Sequence, residues 1–439
     1  MLIFSITSFI EEQKRAANRA LVLAFCLSLP YFFVSMIDYE LRELVCIIVL
    51  SFTFIVPIML LLPIGNNFEE EDEKPKKRID ERTIMFCRSA LQKGSKRFDE
   101  FYKLFPEYKK PDDEFRSLPG LIQKGATFYE PITAAAAFSG FSTIHTLHQK
   151  INEDEKLKPK QNIDSKNIAI FLKKWLKNMG AVSVGVAKLQ EYHKYNTIGR
   201  GNQYGEPVKL DHENAIAFTV EMDKNKVSRA PKGPTVMESA QQYLNSGTMA
   251  VQLAEFIHHL GYSARAHIDG NYNVICPLVA RDAGLGEIGR MGLLMTPELG
   301  PRVRIAVVTT NLPIAIDDRN KNQTVLDFCR LCRKCADVCP SQAIPDDARK
   351  MIQGVKRWQI NSESCFTLWC KIGTDCARCM SVCPYSHPNT IMHNLVRWGI
   401  RQSRLFRIFA LKMDDIFYGR KPKPADIPDY FKGIIRNQD

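Results

Sequence analysis

Nine of the thirteen cysteines in this 439-residue chain fall between Cys329 and Cys383, and their spacing constrains the fold more than any other feature. Residues 329 to 340 read CRLCRKCADVCP, or C-x2-C-x2-C-x3-C-P, and residues 376 to 384 read CARCMSVCP, a second C-x2-C-x3-C-P, with Cys365 and Cys370 just upstream. A [4Fe–4S] cube has four iron corners and takes four thiolates. Two-residue spacers let a loop curl around three corners with its amides aimed at the sulfurs, while the cysteine before proline ligates the neighbouring cube, as in bacterial two-cluster ferredoxins. This spacing assigns Cys329, Cys332, Cys335 and Cys383 to one cluster. The other takes Cys376, Cys379, Cys339 and either Cys365 or Cys370. Zinc sites would use separated C-x2-C pairs, usually with histidine. Disulfides do not suit the reducing compartment expected below. Cys26 and Cys46 lie in apolar runs, and Cys87 and Cys276 stand alone, as small apolar filler would.

Residues 21 to 37 and 44 to 64 are uncharged apolar runs separated by DYELRE. A bilayer core of roughly 30 Å needs about 20 helical residues, so the pair reads as a transmembrane hairpin, with Pro30 and Pro57 as tolerated kinks. A cleaved signal peptide would show one short run and a small-residue cleavage site. Lys14, Arg15 and Arg19 precede the first run, and Lys74, Lys76, Lys77, Arg78 and Arg82 follow the second, against Arg42 alone between them. The positive-inside rule then places both ends, and the domain that follows, on the cytoplasmic side of the membrane. A buried soluble hairpin is the alternative. The acidic run Glu69 to Glu73 followed by KPKKR reads as a solvated linker.

Beyond the linker the composition is that of a folded protein, with 45% hydrophobic and 25% charged residues. The net charge of +12 suits nucleic acid, anionic lipid or an acidic protein without choosing among them. Residues 134 to 141 suggest a packed helix or turn. Residues 165 to 178 carry helical periodicity, with Gly180 at the end and a strand in AVSVGVAKL. Further strands are expected at 215–222 and 302–314, with a long helix over 236–260. Alternating strands and helices give an α/β or α+β core between about 165 and 320. GLGEIG, 284–289, matches G-x-G-x-x-G but follows a helical stretch rather than a strand, so glycines at a helix end explain it better than a dinucleotide site. Residues 391 to 411 form an amphipathic basic helix candidate, packed on the core or resting on the inner leaflet.

Two clusters make a short electron wire, and a wire needs a terminus. At AGLGEIGRMGLLMTPELGPRVRIAVVTTNLPI (283–314), FCRLCRKCADVCPSQAI, NSESCFTLWCKIGTDCARCMSVCPYSHP (361–388) and MDDIFYGRKPKP, the chain resembles the reductive dehalogenases, whose sister family is the epoxyqueuosine reductases. The resemblance covers about 165 to 423. It implies a corrinoid (cobalamin), held base-off in a nitroreductase-like domain and fed electrons by the clusters, and it selects Cys365 over Cys370. Familiar respiratory members carry a twin-arginine export signal and rely on a separate small membrane protein, whereas here an anchor is expected to be fused to the chain. The fold class so implied is α+β: an N-terminal transmembrane helical hairpin, a nitroreductase-like α/β corrinoid-binding domain and a two-[4Fe–4S] ferredoxin-like domain. The expected divisions are an anchor over 1–66, a linker over 67–82, an extension over 83–164, the corrinoid-binding catalytic domain over 165–320, the ferredoxin-like domain over 321–392 and a helical tail over 393–439.

The resemblance also implies roles. Tyr243 falls at the family's catalytic tyrosine and Arg304 at its basic partner. A third, polar position falls in HIDGNYN (267–273), where a two-residue length difference leaves Asn271 and Asp269 both open. The sister family uses an aspartate here as its acid. Gly270, Gly286, Gly289, Gly292 and Arg302 are the implied corrinoid contacts. Without the resemblance, Tyr243 is a helix-face tyrosine, Arg304 a strand arginine paired with a carboxylate, and His267 a packed histidine. The expected partners are a small organohalide, the membrane, and an external donor such as ferredoxin, flavodoxin or a quinol-linked protein. An epoxyqueuosine reductase-like enzyme acting on tRNA would suit the positive charge. Against it stand the hairpin, IGRMG in place of the sister family's Lys-Asn pair, and the lack of a trailing helical-repeat domain. A membrane-bound ferredoxin-type carrier would leave the domain before the clusters idle.

Overall fold

A computed structural model describes residues 1–34, 36, 39–65, 74–153, 157–319, 321, 323–431 and 434. The acidic run Glu69 to Glu73 lies outside the described residues. The chain divides into two compact units. The first comprises Met1–Glu70, Asp327–Lys334 and His387–Lys423, and the second Glu71–Leu326, Cys335–Ser386 and Pro424–Asp439.

The first unit is helical. Helix α1 (Leu2–Ile10) precedes α2 (Lys14–Val34), and α3 (Tyr39–Leu61) returns antiparallel to α2. Lys14–Val34 and Leu41–Leu61 are each long and apolar enough to cross a membrane. Side chains such as Ile48, Phe52 and Phe54 on α3 are exposed. The expected single helix over 391–411 is two, Ile391–Gln402 and Arg404–Phe417. The break has a local cause. Ser403 is extended, and its hydroxyl accepts from the Phe406 N–H at 3.0 Å, an N-cap that restarts the helix.

The second unit is built on four strands: β1 (Ser183–Lys188), β2 (Asn214–Glu221), β3 (Ala264–His267) and β4 (Val303–Thr310), in the order β1-β2-β4-β3. Every pairing is antiparallel, so the α+β reading holds for this sheet and a parallel α/β sheet does not. Helices α4 (Pro131–Ile151), α5 (Ser165–Asn178), α6 (Gly233–His259) and α7 (Cys276–Asp282) complete the domain. Ile216 and Phe218 pack with Leu172, Leu253 and Ile257 on one face of the sheet. Ala215 and Ala217 pack with Val279 and Ala280 on the other. Both faces are covered, which is why β2 is a continuous apolar run rather than an alternating one.

The extension that resisted reading from sequence folds around aromatic side chains, with Phe98, Phe101 and Tyr102 buried together. The buried Arg88 pairs with Asp112 at 3.2 Å. Helix α8 (Ser362–Ile372) packs against this extension through Phe366, which meets Phe115 at a ring separation of 5.0 Å.

Candidate active site and iron–sulfur segment

The site begins with a register. In the β2–β4 ladder Val220 faces Arg304. Helix α6 crosses this sheet, and Ser239 and Tyr243, four residues apart, share one helix face. Arg304 donates through Nη2 to the Ser239 hydroxyl at 2.7 Å and to Oδ2 of Asp375 at 3.2 Å. Ser239 also donates to Asp375. The guanidinium lies over the Tyr243 ring, 4.7 Å from its centroid, a cation–π contact. The Nε of Arg304 has no hydrogen-bond partner among the described residues. Loss of hydration pushes the Tyr243 phenol up, Arg304 opposes this, and the charges of Asp269 and Asp375 add to it. The phenol therefore keeps its proton through neutral pH.

Asp269 sits in the turn after β3. Burial raises its carboxyl, while Arg200, Arg304 and His148 pull it down. Asn271 is engaged elsewhere: its Oδ1 accepts from Arg265 at 2.6 Å and its Nδ2 donates to Asn152 at 3.2 Å. Of the two residues left open, Asp269 is the one whose charge bears on Tyr243. His267 is a packed histidine. The Asn273 N–H donates to Nδ1, so the neutral ring carries its proton on Nε2, which faces Thr309 Oγ1 at 2.8 Å. Burial holds its pKa well below the ordinary value.

A cavity of 1110 Å³ opens beside this turn, lined by His148, Arg200, Gly270, Asn271 and Tyr272 among others. Its volume slightly exceeds the roughly 300–1,000 Å³ of common small-molecule sites. Tyr243 and Arg304 are not among its lining residues. Of the five residues implied as corrinoid contacts, Gly270 lines the cavity and Gly286, Gly289, Gly292 and Arg302 do not. A Cβ at Gly286 would stand 2.2 Å from the Met295 carbonyl oxygen, so backbone packing alone requires glycine there. Arg302 is fully buried, bonding Glu221 at 2.6 Å and the Ser386 carbonyl at 3.0 Å.

Asp375 immediately precedes Cys376. Cys376 and Ala377 both adopt left-handed backbone angles, φ 55° and 52°, a conformation costing non-glycine residues about 1–3 kcal/mol each. The segment is docked to the loop before α6, with the Thr374 hydroxyl donating to the Pro231 carbonyl at 2.6 Å. Burial and the charges of Cys376 and Cys339 push the Cys365 thiol up to about 12. Burial raises Cys379 too, and Cys376, Cys335, Cys365 and Cys339 all add to it. Cys339, Cys365, Cys376 and Cys379 are thus electrostatic neighbours. Cys370 is raised by burial alone and packs with Met85, Phe115 and Phe366. The Ala343 N–H points at the Cys339 sulfur at 3.3 Å, as an amide beside a cluster ligand would. The unit boundary falls within the first motif, between Lys334 and Cys335.

Asp375, Ser239, Arg200, Tyr272 and His148 did not stand out in the sequence. Only Asp375 carried a signal, its place beside a cluster ligand.

An antiparallel α+β domain, a buried phenol under a guanidinium and cysteines spaced for two cubes define a class of iron–sulfur redox proteins. Residues 328–387 match the 4Fe-4S dicluster domain. The chain is 31% identical over 297 residues to a tetrachloroethene reductive dehalogenase of Desulfitobacterium hafniense, covering 56% of this chain and 53% of that protein. It is 32% identical over 225 residues to the enzyme of that name from Sulfurospirillum multivorans, covering 49% and 44%. The structure of the catabolic reductive dehalogenase NpRdhA in complex with 3-bromo-4-hydroxybenzoic acid superposes with a TM-score of 0.64 at 23% identity, covering 80% of this chain and 49% of that one, and shows the same fold. The chain spans about half the length of the curated relatives it matches. Over these stretches the chain is similar to reductive dehalogenases and, over a shorter one, to an epoxyqueuosine reductase of Lactococcus garvieae.

Proposed function

We propose that this protein is a corrinoid-dependent reductive dehalogenase, anchored by α2 and α3 with its catalytic domain facing the cytoplasm. Replacing a carbon–halogen bond by carbon–hydrogen consumes two electrons and one proton and expels halide. The corrinoid, when bound, supplies the low-potential electrons at its cobalt, and the two clusters, when bound, relay single electrons one at a time. The cavity beside Gly270 and Asn271, with Arg200, His148 and Tyr272 in its lining, fits a large, partly polar guest.

The protein's own part is the proton. Tyr243 holds it on Oη at neutral pH and gives it to a strongly basic carbon centre. Arg304 stabilises the phenolate left behind, and Asp375 with Ser239 holds the guanidinium over the ring. The electron donor on this reading is an external ferredoxin, flavodoxin or quinol-linked protein, and the substrate a small organohalide. The observation that carries the reading is the Arg304–Tyr243 stack, fixed by a residue adjoining a cluster cysteine.

The test is anaerobic purification with corrinoid supplied, iron and cobalt counted per chain, and halide release measured. Tyr243→Phe should abolish halide release with both metals retained; undiminished release overturns the acid assignment. One observation favours a second reading: Asp269 is a buried carboxyl acting on the Tyr243 phenol, and the sister family has its acidic aspartate in this stretch. Queuosine formation in tRNA without halide release would select that reading. Intact clusters with no corrinoid bound would select an electron carrier.

A further inference from the structure

The helices of the first unit that do not span carry apolar side chains outward as well as inward. In Ile391–Gln402 the buried face carries His393, Arg397 and Ile400, while Ile391, Leu395 and Trp398, spaced i, i+4, i+7, are 86%, 58% and 48% exposed. In Arg404–Phe417 Arg407 and Asp414 are buried along with Ala410, Leu411 and Phe417, and the outward positions include Leu405, Ile408, Phe409 and Ile416. Helix α1 repeats the pattern: Ser8 is buried and Ser5 donates inward to the Ala17 carbonyl at 2.8 Å, while Leu2, Ile3, Ile6, Phe9 and Ile10 face out. A water-facing helix would carry polar side chains at these outward positions.

The inward charged side chains are each paired. His393 meets Glu11 at 3.0 Å, Arg407 meets Asp327 at 2.7 Å, and Asp414 takes both Lys334 and His387. With the inward faces already packed and paired, the outward apolar stripes are what remains for the surroundings to cover.

Three contacts fix the level of these helices along the hairpin. The Ser403 hydroxyl donates to the Leu60 carbonyl in the last turn of α3. Arg19, early in α2, donates to the Ile416 carbonyl. Phe4 of α1 packs on Phe417 with ring centroids 4.8 Å apart. The start of α2 and the end of α3 thus meet the same C-terminal helix, and α1 joins them there. Lys14, Arg15, Arg401, Arg404 and Lys412 are exposed around this level, where long cationic side chains reach lipid phosphates.

We infer that α1 and the two C-terminal helices form an interfacial collar lying in the headgroup–acyl boundary of the leaflet where α2 begins and α3 ends. The occupant of the apolar stripes is lipid, because they continue the apolar surface of the hairpin at the height where a membrane-spanning pair emerges. The inference rests on the reading of α2 and α3 as spans and adds a monotopic contact to it.

Trp398 is the natural probe. The full-length protein is reconstituted into vesicles whose lipids carry bromine near the headgroup end or near the tail end of the acyl chain, and tryptophan emission is recorded. Headgroup-proximal bromine should quench a component that tail-end bromine spares, and Trp398→Phe should abolish that component. Leu395→Trp added to Trp398→Phe should restore it. Equal quenching in wild type and Trp398→Phe, or no quenching with protein still resistant to alkaline extraction, overturns the collar and leaves solvent or a protein partner on this face. Release by alkaline wash overturns the spanning reading itself.

Discussion

Asp375 is polar glue at the point where the iron–sulfur segment meets the sheet. Its carboxylate holds Arg304 and Ser239, and its charge helps keep the Tyr243 phenol protonated. In Asp375→Asn the guanidinium loses its counter-charge but stays over the ring, so the Tyr243 pKa falls. The alkaline limb of the rate profile should move to lower pH, turnover should drop about tenfold or more, and iron per chain should hold; an unmoved limb refutes the coupling. At the cluster, Cys365→Ser should cost one cube, read as a loss of about four irons per chain, whereas Cys370→Ser should retain the iron and give up about 1–3 kcal/mol of packing. His267 gives a pH test of stability. Its folded pKa lies well below its unfolded value near 6.5, so the neutral form stabilises the fold above that value, and stability is lost as pH falls below it. Denaturant midpoints measured from pH 7.5 down to about 5 should decline, and His267→Gln should flatten the decline. The candidate ligands stand out in the sequence because ligation needs fixed spacing along the chain. Asp375 was not, because its meaning comes from the β4 register and from the docking of the segment beside it, which no local pattern encodes.

At the scale of elements, periodicity located β1, β2, β4 and the long α6, but it missed the short β3 and could not say that every pairing in this sheet is antiparallel. The α4–α6 contact was hidden for a different reason: it depends on the absence of side chains. A Cβ at Gly140 would stand 3.1 Å from Ala240 Cβ, so the two helices meet at their small residues. Gly140→Val should force α4 off α6 and destabilise by about 1–3 kcal/mol, visible as a lowered denaturant midpoint, while Gly140→Ala should cost less. Tyr243 lies on the next turn of α6, so the valine variant should also lose activity before it loses its iron. The 391–411 stretch was read as one helix because Ser403 has ordinary helix periodicity around it. Its capping role shows only once the backbone is extended there.

For the whole molecule, the decisive asymmetry is charge across the hairpin. Lys14, Arg15 and Arg19 lie before the first apolar run and Lys74, Lys76, Lys77, Arg78 and Arg82 after the second, with Arg42 alone between them. On the proposed anchoring, each basic residue biases topology, and eight against one predict the loop outside and both ends inside. Glu43→Cys, in the first turns of α3 beside the connection to α2, should react with a membrane-impermeant maleimide in intact cells. Lys93→Cys, an exposed position of the second unit, should react only after the membrane is opened or inverted. The reverse pattern would move the proposed dehalogenation to the other side of the membrane, away from a reducing compartment in which the eight proposed cluster cysteines stay available for iron. Moving the positive charge into the loop, by changing Glu40 and Glu43 to Lys and Lys14, Arg15 and Arg19 to Gln, should weaken the bias and yield both labelling patterns, with cluster iron retained only in the fraction whose second unit remains inside.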